Sequence, residues 1–303
     1  MNKQKHAYLI MAHDNPAVLT ALLSCLDDAR NDIYLHIDAR AAELFAKMAE
    51  WKPCHAGYTL LPSPVEVYWG DISQVEAEYR LFEAAGNGGK YSRLHLLSGT
   101  DLPIKSQDFI HAFFDARPSC EFVEIWDSPA HLRDLRRKVT LRYLFTRHLR
   151  DKHSAIHHFT APLRNVFLIL QKVSGYRRPC EVEFKKGANW VSVTPAFCDL
   201  LLSKKEWVLQ RMRQTLCPDE IFLQTILWNS RFRDNIYQAP PGCSPAMRRI
   251  DWQRGSPYVW QDCDKAELAS APELFARKFS DNDAGLINFA ADIAQGNYDH
   301  GDN

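Results

Sequence analysis

Short apolar runs, each closed by a polar or charged group, punctuate the first hundred positions of the chain. Tyr8-Leu9-Ile10-Met11-Ala12-His13, Asp32-Ile33-Tyr34-Leu35-His36-Ile37-Asp38 and Tyr58-Thr59-Leu60-Leu61 read as strands. Between them, Pro16 to Leu26 and Ala41 to Trp51 carry helical spacing. The order strand, helix, strand, helix, strand predicts a parallel sheet with helices on both faces, an α/β fold. Such sheets bind ligands beyond the carboxyl ends of their strands, where His13 and Asp38 fall.

The pattern continues with an extended segment Val65 to Asp71, a helix Ser73 to Ala85 and an apolar strand Arg93 to Leu97. That strand runs into the polar turn Ser98-Gly99-Thr100-Asp101-Leu102-Pro103. Ser106 is placed to cap a helix over Phe109 to Phe114, and Glu121 to Trp126 alternates like a strand with one wet face. Trp190 to Thr194 reads as another strand, followed by helices over Pro195–Leu202 and Lys205–Thr215. Leu216 to Leu227 then reads as a buried helix opening on Pro218, Asp219 and Glu220. Acids in a first turn meet the positive end of the helix dipole. A carboxylate at the mouth of a buried helix is also a place for a general base. Further on, Arg248 to Trp252 is strand-like and Gly255-Ser256-Pro257 a turn. Arg277 and Lys278 stand side by side between apolar residues, where a polyanion is their natural partner.

Composition narrows the classes. The 303 residues hold 37 cationic and 37 acidic side chains, so the formal net charge is zero and a general nucleic-acid binder is excluded. The length suits one domain spanning 1–303. No run approaches the roughly 18 apolar residues that cross a bilayer. Met1 lies a few residues before the first strand, so no membrane anchor is expected. Eight scattered cysteines without a C-x-x-C pair predict reduced thiols and no zinc. The glycine fingerprint of dinucleotide sites is missing after strand one, and Gly86 to Lys90 follows a helix, which marks a loop and not a phosphate cradle. Neutrality hides one asymmetry: positions 133–179 hold twelve Lys and Arg against Asp134 and Asp151, leaving about ten net negative charges for the rest. This segment is expected to form a helical hairpin broken at Pro162, with a basic face. His153, His157 and His158 lie in it without the ligand set of a metal site.

Six stretches, in order, resemble glycosyltransferase family 14, the core-2/I-branching N-acetylglucosaminyltransferases and peptide O-xylosyltransferases. They are His36-Ile37-Asp38, Tyr68-Trp69-Gly70, Leu97 to Pro103, Asn189-Trp190, Cys217-Pro218-Asp219-Glu220 and Phe275 to Phe279. The resemblance covers roughly residues 6 to 280. It implies a GT-A fold, a Rossmann-like sandwich with the basic segment as a helical insertion, that takes a UDP-sugar and transfers its sugar with inversion. By motif, Glu220 looks like the catalytic base, and Arg277 and Lys278 like the diphosphate ligands. Asp38 and the neighbourhood of Met11 resemble the uridine site, lined by Val67, Tyr68 and Trp69. Asp101 belongs to the same donor region. Asn189-Trp190 matches an Asp-Trp at the sugar site, and Ser256 a serine near the diphosphate.

No cofactor and no metal are implied, because fixed cations can meet the charge that develops on departing UDP. Asp262-Cys263-Asp264 and Asp281-Asn282-Asp283 match a metal motif literally but follow no central strand, so both are expected to be surface acids. GlcNAc or xylose is the expected sugar, and a glycan or lipid-linked oligosaccharide the expected acceptor. The expected location is the cytoplasm, with the basic hairpin in peripheral contact with anionic lipid at the inner face of the membrane. The rivals are a non-catalytic nucleotide-sugar or glycan-binding protein on the same fold and a metal-dependent transferase.

Overall fold

Alternation along the central strands sorts the core into two layers. In the computed structural model, which describes residues 4–150 and 155–297, β1 (Lys5–Ala12) lies between β2 (Asn31–Ile37) and β4 (Tyr91–Ser98), parallel to both. β3 (Gly57–Leu60) extends the parallel run beyond β2, and the short β6 (Ser192–Val193) closes the other edge antiparallel to β4. The order is β3-β2-β1-β4-β6. Tyr8, Ile10, Ile33 and Leu35 point to one face, where α1 (Pro16–Cys25), α2 (Ala42–Glu50), α4 (Gln107–Asp115) and α11 (Ala284–Ala294) supply the facing side chains. Ala7, Leu9, Leu94 and Leu96 point to the other, covered by α3 (Ile72–Gly88), α7 (Pro195–Ser203), α8 (Lys205–Met212) and α9 (Phe222–Trp228). Strands wetted on neither face read as near-continuous apolar runs, which is why the sequence announces them.

A second sheet stands at the carboxyl ends of these strands. β5 (Asp101–Pro103) pairs antiparallel with β8 (Phe275–Arg277), and β8 pairs parallel with β7 (Arg248–Ile250). α10 (Lys265–Ser270) lies in the connection from β7 to β8. Three-residue strands carry too little pattern to stand out, so the expected turn 98–103 is in part a strand. Conversely, Glu121 to Trp126 forms no ladder: Glu121 and Phe122 make single bridges to Ile236 and Ser192.

The basic segment contains α5 (Pro129–Thr140) and α6 (Ala155–Val173). Pro162 lies inside α6; the break falls earlier, between Leu141 and Arg150, where the chain makes bends and the one-turn helix Thr146–His148. Of the expected features, Asp151, Lys152 and His153 lie outside the described residues. All eight cysteines are free thiols.

Candidate functional site

The register of the second sheet puts Asp101 opposite Arg277. Asp101 Oδ1 accepts from Arg277 Nη1 at 3.0 Å, and Oδ2 accepts from the Ser98 amide at 3.0 Å. Burial raises the Asp101 carboxyl above its usual range, and the Arg277 charge pulls against it. The Arg277 guanidinium lies 4.5 Å from the centre of the Trp190 ring. One planar cation is thus fixed from below by a carboxylate and from the side by an indole. Lys278 is fixed through its backbone: its amide donates to Tyr258 O at 3.3 Å and its carbonyl accepts from the Trp260 amide at 2.9 Å. Its side chain has no ion pair among the described residues. Ser256 is exposed in the turn just before Tyr258.

The strand ends β1 and β2 carry the expected nucleoside side. Met11 is half-buried, paired with His36 and Ser98. Asp38 is buried, and Arg40 holds its carboxylate through Nε at 3.0 Å and Nη2 at 2.7 Å, with the Val67 amide at 3.3 Å. Burial alone would raise the Asp38 carboxyl; the Arg40 contacts outweigh it and the group is lowered. Asp38 therefore ties the Val67 segment to the sheet. Tyr68 follows with Arg40 4.4 Å above its ring, and the exposed Trp69 with Arg150 at 4.3 Å.

The third component is the Cys217 to Glu220 stretch. Cys217 takes a left-handed conformation, φ 48, and its amide donates to Gly70 O at 3.0 Å. The expected helix mouth is a single 3-10 turn, Pro218–Glu220, set off from α9 by Ile221. That turn buries Asp219 and leaves Glu220 half-buried. Glu220 Oε2 meets Lys138 Nζ and Lys186 Nζ, both at 3.2 Å. Asp134 sits behind the same two ammonium groups, at 3.1 and 2.7 Å. Burial would lower Lys138, but Glu220 and Asp134 raise it, and the two lysines hold the Asp134 carboxyl down at about 2. The Gly187 amide donates to Glu220 O at 2.9 Å, and a Cβ on Gly187 would stand 1.8 Å from Glu124 O, so no other residue fits there. Lys138 is buried in this cluster. It is removed from the basic face expected to meet lipid, because Glu220 claims its charge.

Between Trp190 and Glu220 lies a buried polar group that the motifs did not reveal. Asn189 Nδ2 donates to Glu78 Oε1 at 2.9 Å, and Gln74 Nε2 to Asp219 Oδ2 at 3.3 Å. Glu78 Oε2, Asp219 Oδ1, Asn189 Oδ1 and Gln224 Oε1 are buried and have no hydrogen-bond partner. Burial, then the Asp219 charge, raises Glu78 well above the usual carboxylate range. These oxygens make a buried polar cluster between α3 and the Pro218–Glu220 turn. The two Asp-x-Asp matches, by contrast, are spent on structure. Asp281 accepts from the Ala17 and Val18 amides at the start of α1, and Asp283 caps α11. Asp264, buried and not on the surface, takes Arg254 at 2.8 Å.

Residues 6–271 match the family model of the core-2/I-branching enzyme. The chain belongs to that family. It is a family of glycosyltransferases, and the parallel sheet covered by helices on both faces is the α/β fold expected from the sequence. The chain is similar to two proteins named xylosyltransferase oxt, from Drosophila melanogaster and Drosophila pseudoobscura pseudoobscura. Each is 22% identical over 279 residues, covering 85% of this chain. The chain spans about 30% of the length of these relatives. Mouse xyloside xylosyltransferase 1, in its apo form, aligns with 90% of this chain and 97% of its own at 11% identity, with a TM-score of 0.41.

Proposed function

We propose that this core-2/I-branching family member moves a sugar, GlcNAc or xylose, from a UDP-sugar to a hydroxyl of a glycan or lipid-linked acceptor, with inversion and without a metal. The observation that carries the reading is the gathering, at the carboxyl ends of one parallel sheet, of a held cation pair and a held carboxylate. Asp101 and Trp190 fix Arg277 beside Lys278, and Lys138 and Lys186 fix Glu220. Glu220 takes the proton of the acceptor hydroxyl as that oxygen attacks the anomeric carbon. The bond from that carbon to the phosphate oxygen breaks, and its electron pair leaves with UDP. Arg277 and Lys278 meet the departing charge without reorganising, which is the economical use of preorganised cations. The lysines on Oε2 leave Glu220 Oε1 for the hydroxyl. Met11, Tyr68 and Trp69 border the uridine side, and Asn189 and Trp190 the sugar. In this reading the chain works in the cytoplasm, its basic insertion facing the inner surface of the membrane that carries the acceptor.

Glu220→Gln tests the assignment. It is expected to bind UDP as wild type does by calorimetry and to lose transfer by roughly 100- to 10,000-fold, the usual range for a general base. Near-normal turnover in that variant removes Glu220 from the chemistry. Transfer is likewise expected to persist in EDTA; loss that manganese restores would favour a metal-dependent transferase instead.

A further inference from the structure

α6 is assembled the wrong way round for a helix of a soluble domain. Thr160 and Gln171 are its buried residues, and the side chains that join it to the body are polar. Gln171 exchanges hydrogen bonds with the Arg142 backbone at 2.8 and 2.9 Å, and His157 Nδ1 donates to His148 O at 2.6 Å. Phe159, Leu163, Val166, Leu170 and Val173 recur at alternating steps of four and three, so they form one stripe. That stripe faces solvent: Phe159 is 76% exposed, Leu170 60% and Val173 81%. A contiguous apolar surface of this kind marks an interaction site.

We infer that the α6 stripe is a membrane-embedding face, which lies in the plane of an anionic bilayer interface with Phe159, Leu163, Val166, Leu170 and Val173 among the acyl chains. The inference deepens the peripheral contact proposed above, and rests on that reading only for its purpose. It changes the contact from Coulombic attraction to insertion. The occupant is lipid because of charge. No acid occurs from position 155 to 180, whereas Arg164, Lys172 and Arg177 do; Arg178 is tied to Thr215 and the Arg211 carbonyl. Pairing two copies along the stripe would bring these cations together; anionic headgroups would neutralise them. No helix among the described residues is long and apolar enough to cross a membrane, so the helix lies on the surface. The embedded face would also aim the cleft. α6 rests on the turn Thr146–His148, whose Thr146 hydroxyl donates to Asp71 Oδ2 at 2.5 Å, just after Tyr68-Trp69-Gly70.

The test is co-sedimentation of the full chain with phosphatidylglycerol-rich vesicles at low and high salt, beside Val166→Asp/Leu170→Asp. Both positions are exposed, so the variant is expected to melt as wild type does. Wild type is expected to remain bound in high salt, which screens headgroup attraction but not insertion, and the variant to lose partitioning by about tenfold or more. Three outcomes overturn the inference: wild type ignoring the vesicles, binding that high salt abolishes, or a variant that binds as well as wild type. A wild-type dimer that the variant converts to monomer also overturns it and makes the stripe a self-interface. Partitioning needs no catalysis. A chain that binds vesicles but transfers no sugar defeats only the transferase reading, and one that glycosylates a soluble acceptor yet ignores vesicles defeats only this inference.

Discussion

Two charged groups of the candidate site are held by one device with the signs exchanged. Arg277, a cation, is held by the buried anion Asp101. Glu220, an anion, is held by the buried cations Lys138 and Lys186. They differ in where the holding partner comes from. Asp101 and Arg277 face each other across two strands of one sheet, so their pairing is part of the fold's register. Lys138 comes from α5 in the basic insertion, and Lys186 from the loop before β6, neither of them in a sheet. The Arg277 end is therefore built with the core, whereas the Glu220 end depends on how the insertion docks.

The comparison is broken most severely at its rigid end. Asp101→Asn leaves Arg277 unpaired over a buried site, and removing one partner of a buried pair costs about 3–5 kcal/mol. Denaturant unfolding is expected to show a loss of that order, with weakened UDP binding. A variant of normal stability and UDP affinity would mean that Asp101 does not seat Arg277. At the other end Lys138→Met is expected to spare UDP binding and lower kcat by about one to two decades, since a hydrogen bond to a charged group is worth about 1.5–3 kcal/mol. Lys138→Arg should recover part of the rate. If UDP affinity falls with kcat, the two ends are not separable. Smaller still, Lys278→Ala removes a side chain with no ion pair among the described residues. The fold should not notice, and UDP affinity should drop about tenfold while uridine affinity holds, because the lost contact is to phosphate. Equal losses for both ligands place Lys278 away from the diphosphate.

The same division decides what the sequence could reveal. β1, β2 and β4 were legible because strands buried on both faces are apolar along most of their length. β5 and β8 were not, since three residues carry no period, whereas β7 fell inside the strand-like Arg248 to Trp252. Pro162 read as a break because proline removes a helical hydrogen bond, yet it lies two turns into α6, and the helix runs through it. In the site, Glu220, Arg277 and Asn189 could be found because each sits in a local motif. Their holders could not: Lys138 lies 82 positions from Glu220, and Glu78 lies 111 from Asn189. Only the spacing of Asp134 and Lys138, one helical turn apart, hinted that this part of the basic segment was internally paired.

Asp219 sharpens the comparison by an effect that depends on pH. It faces Gln74 and Glu78 from α3, Glu220 from its own turn and Lys138 from α5. Burial, then the Glu220 charge, pushes its carboxyl up from 3.8 to about 7. A carboxyl raised in this way holds its proton in the folded chain at pH values where the unfolded chain has released it. The folded state binds more protons between about 4 and 7, so this group makes stability fall as pH rises through that window. Buried histidines act oppositely: His6 is lowered to about 2 and His36 to about 4, mainly by burial, and they cost stability as pH falls below 6.5. The sign therefore shows only as a difference between variants. Asp219→Asn should gain on wild type by up to about 1.4 kcal/mol per pH unit between pH 4 and 7, and by nothing further above 7. A difference that stays constant across the range means Asp219 is not the group that holds the proton. If Glu78→Gln shows the slope in its place, the proton belongs to the carboxyl beside Asn189, and the neutral acid of the cleft lies on the sugar side and not beneath the base.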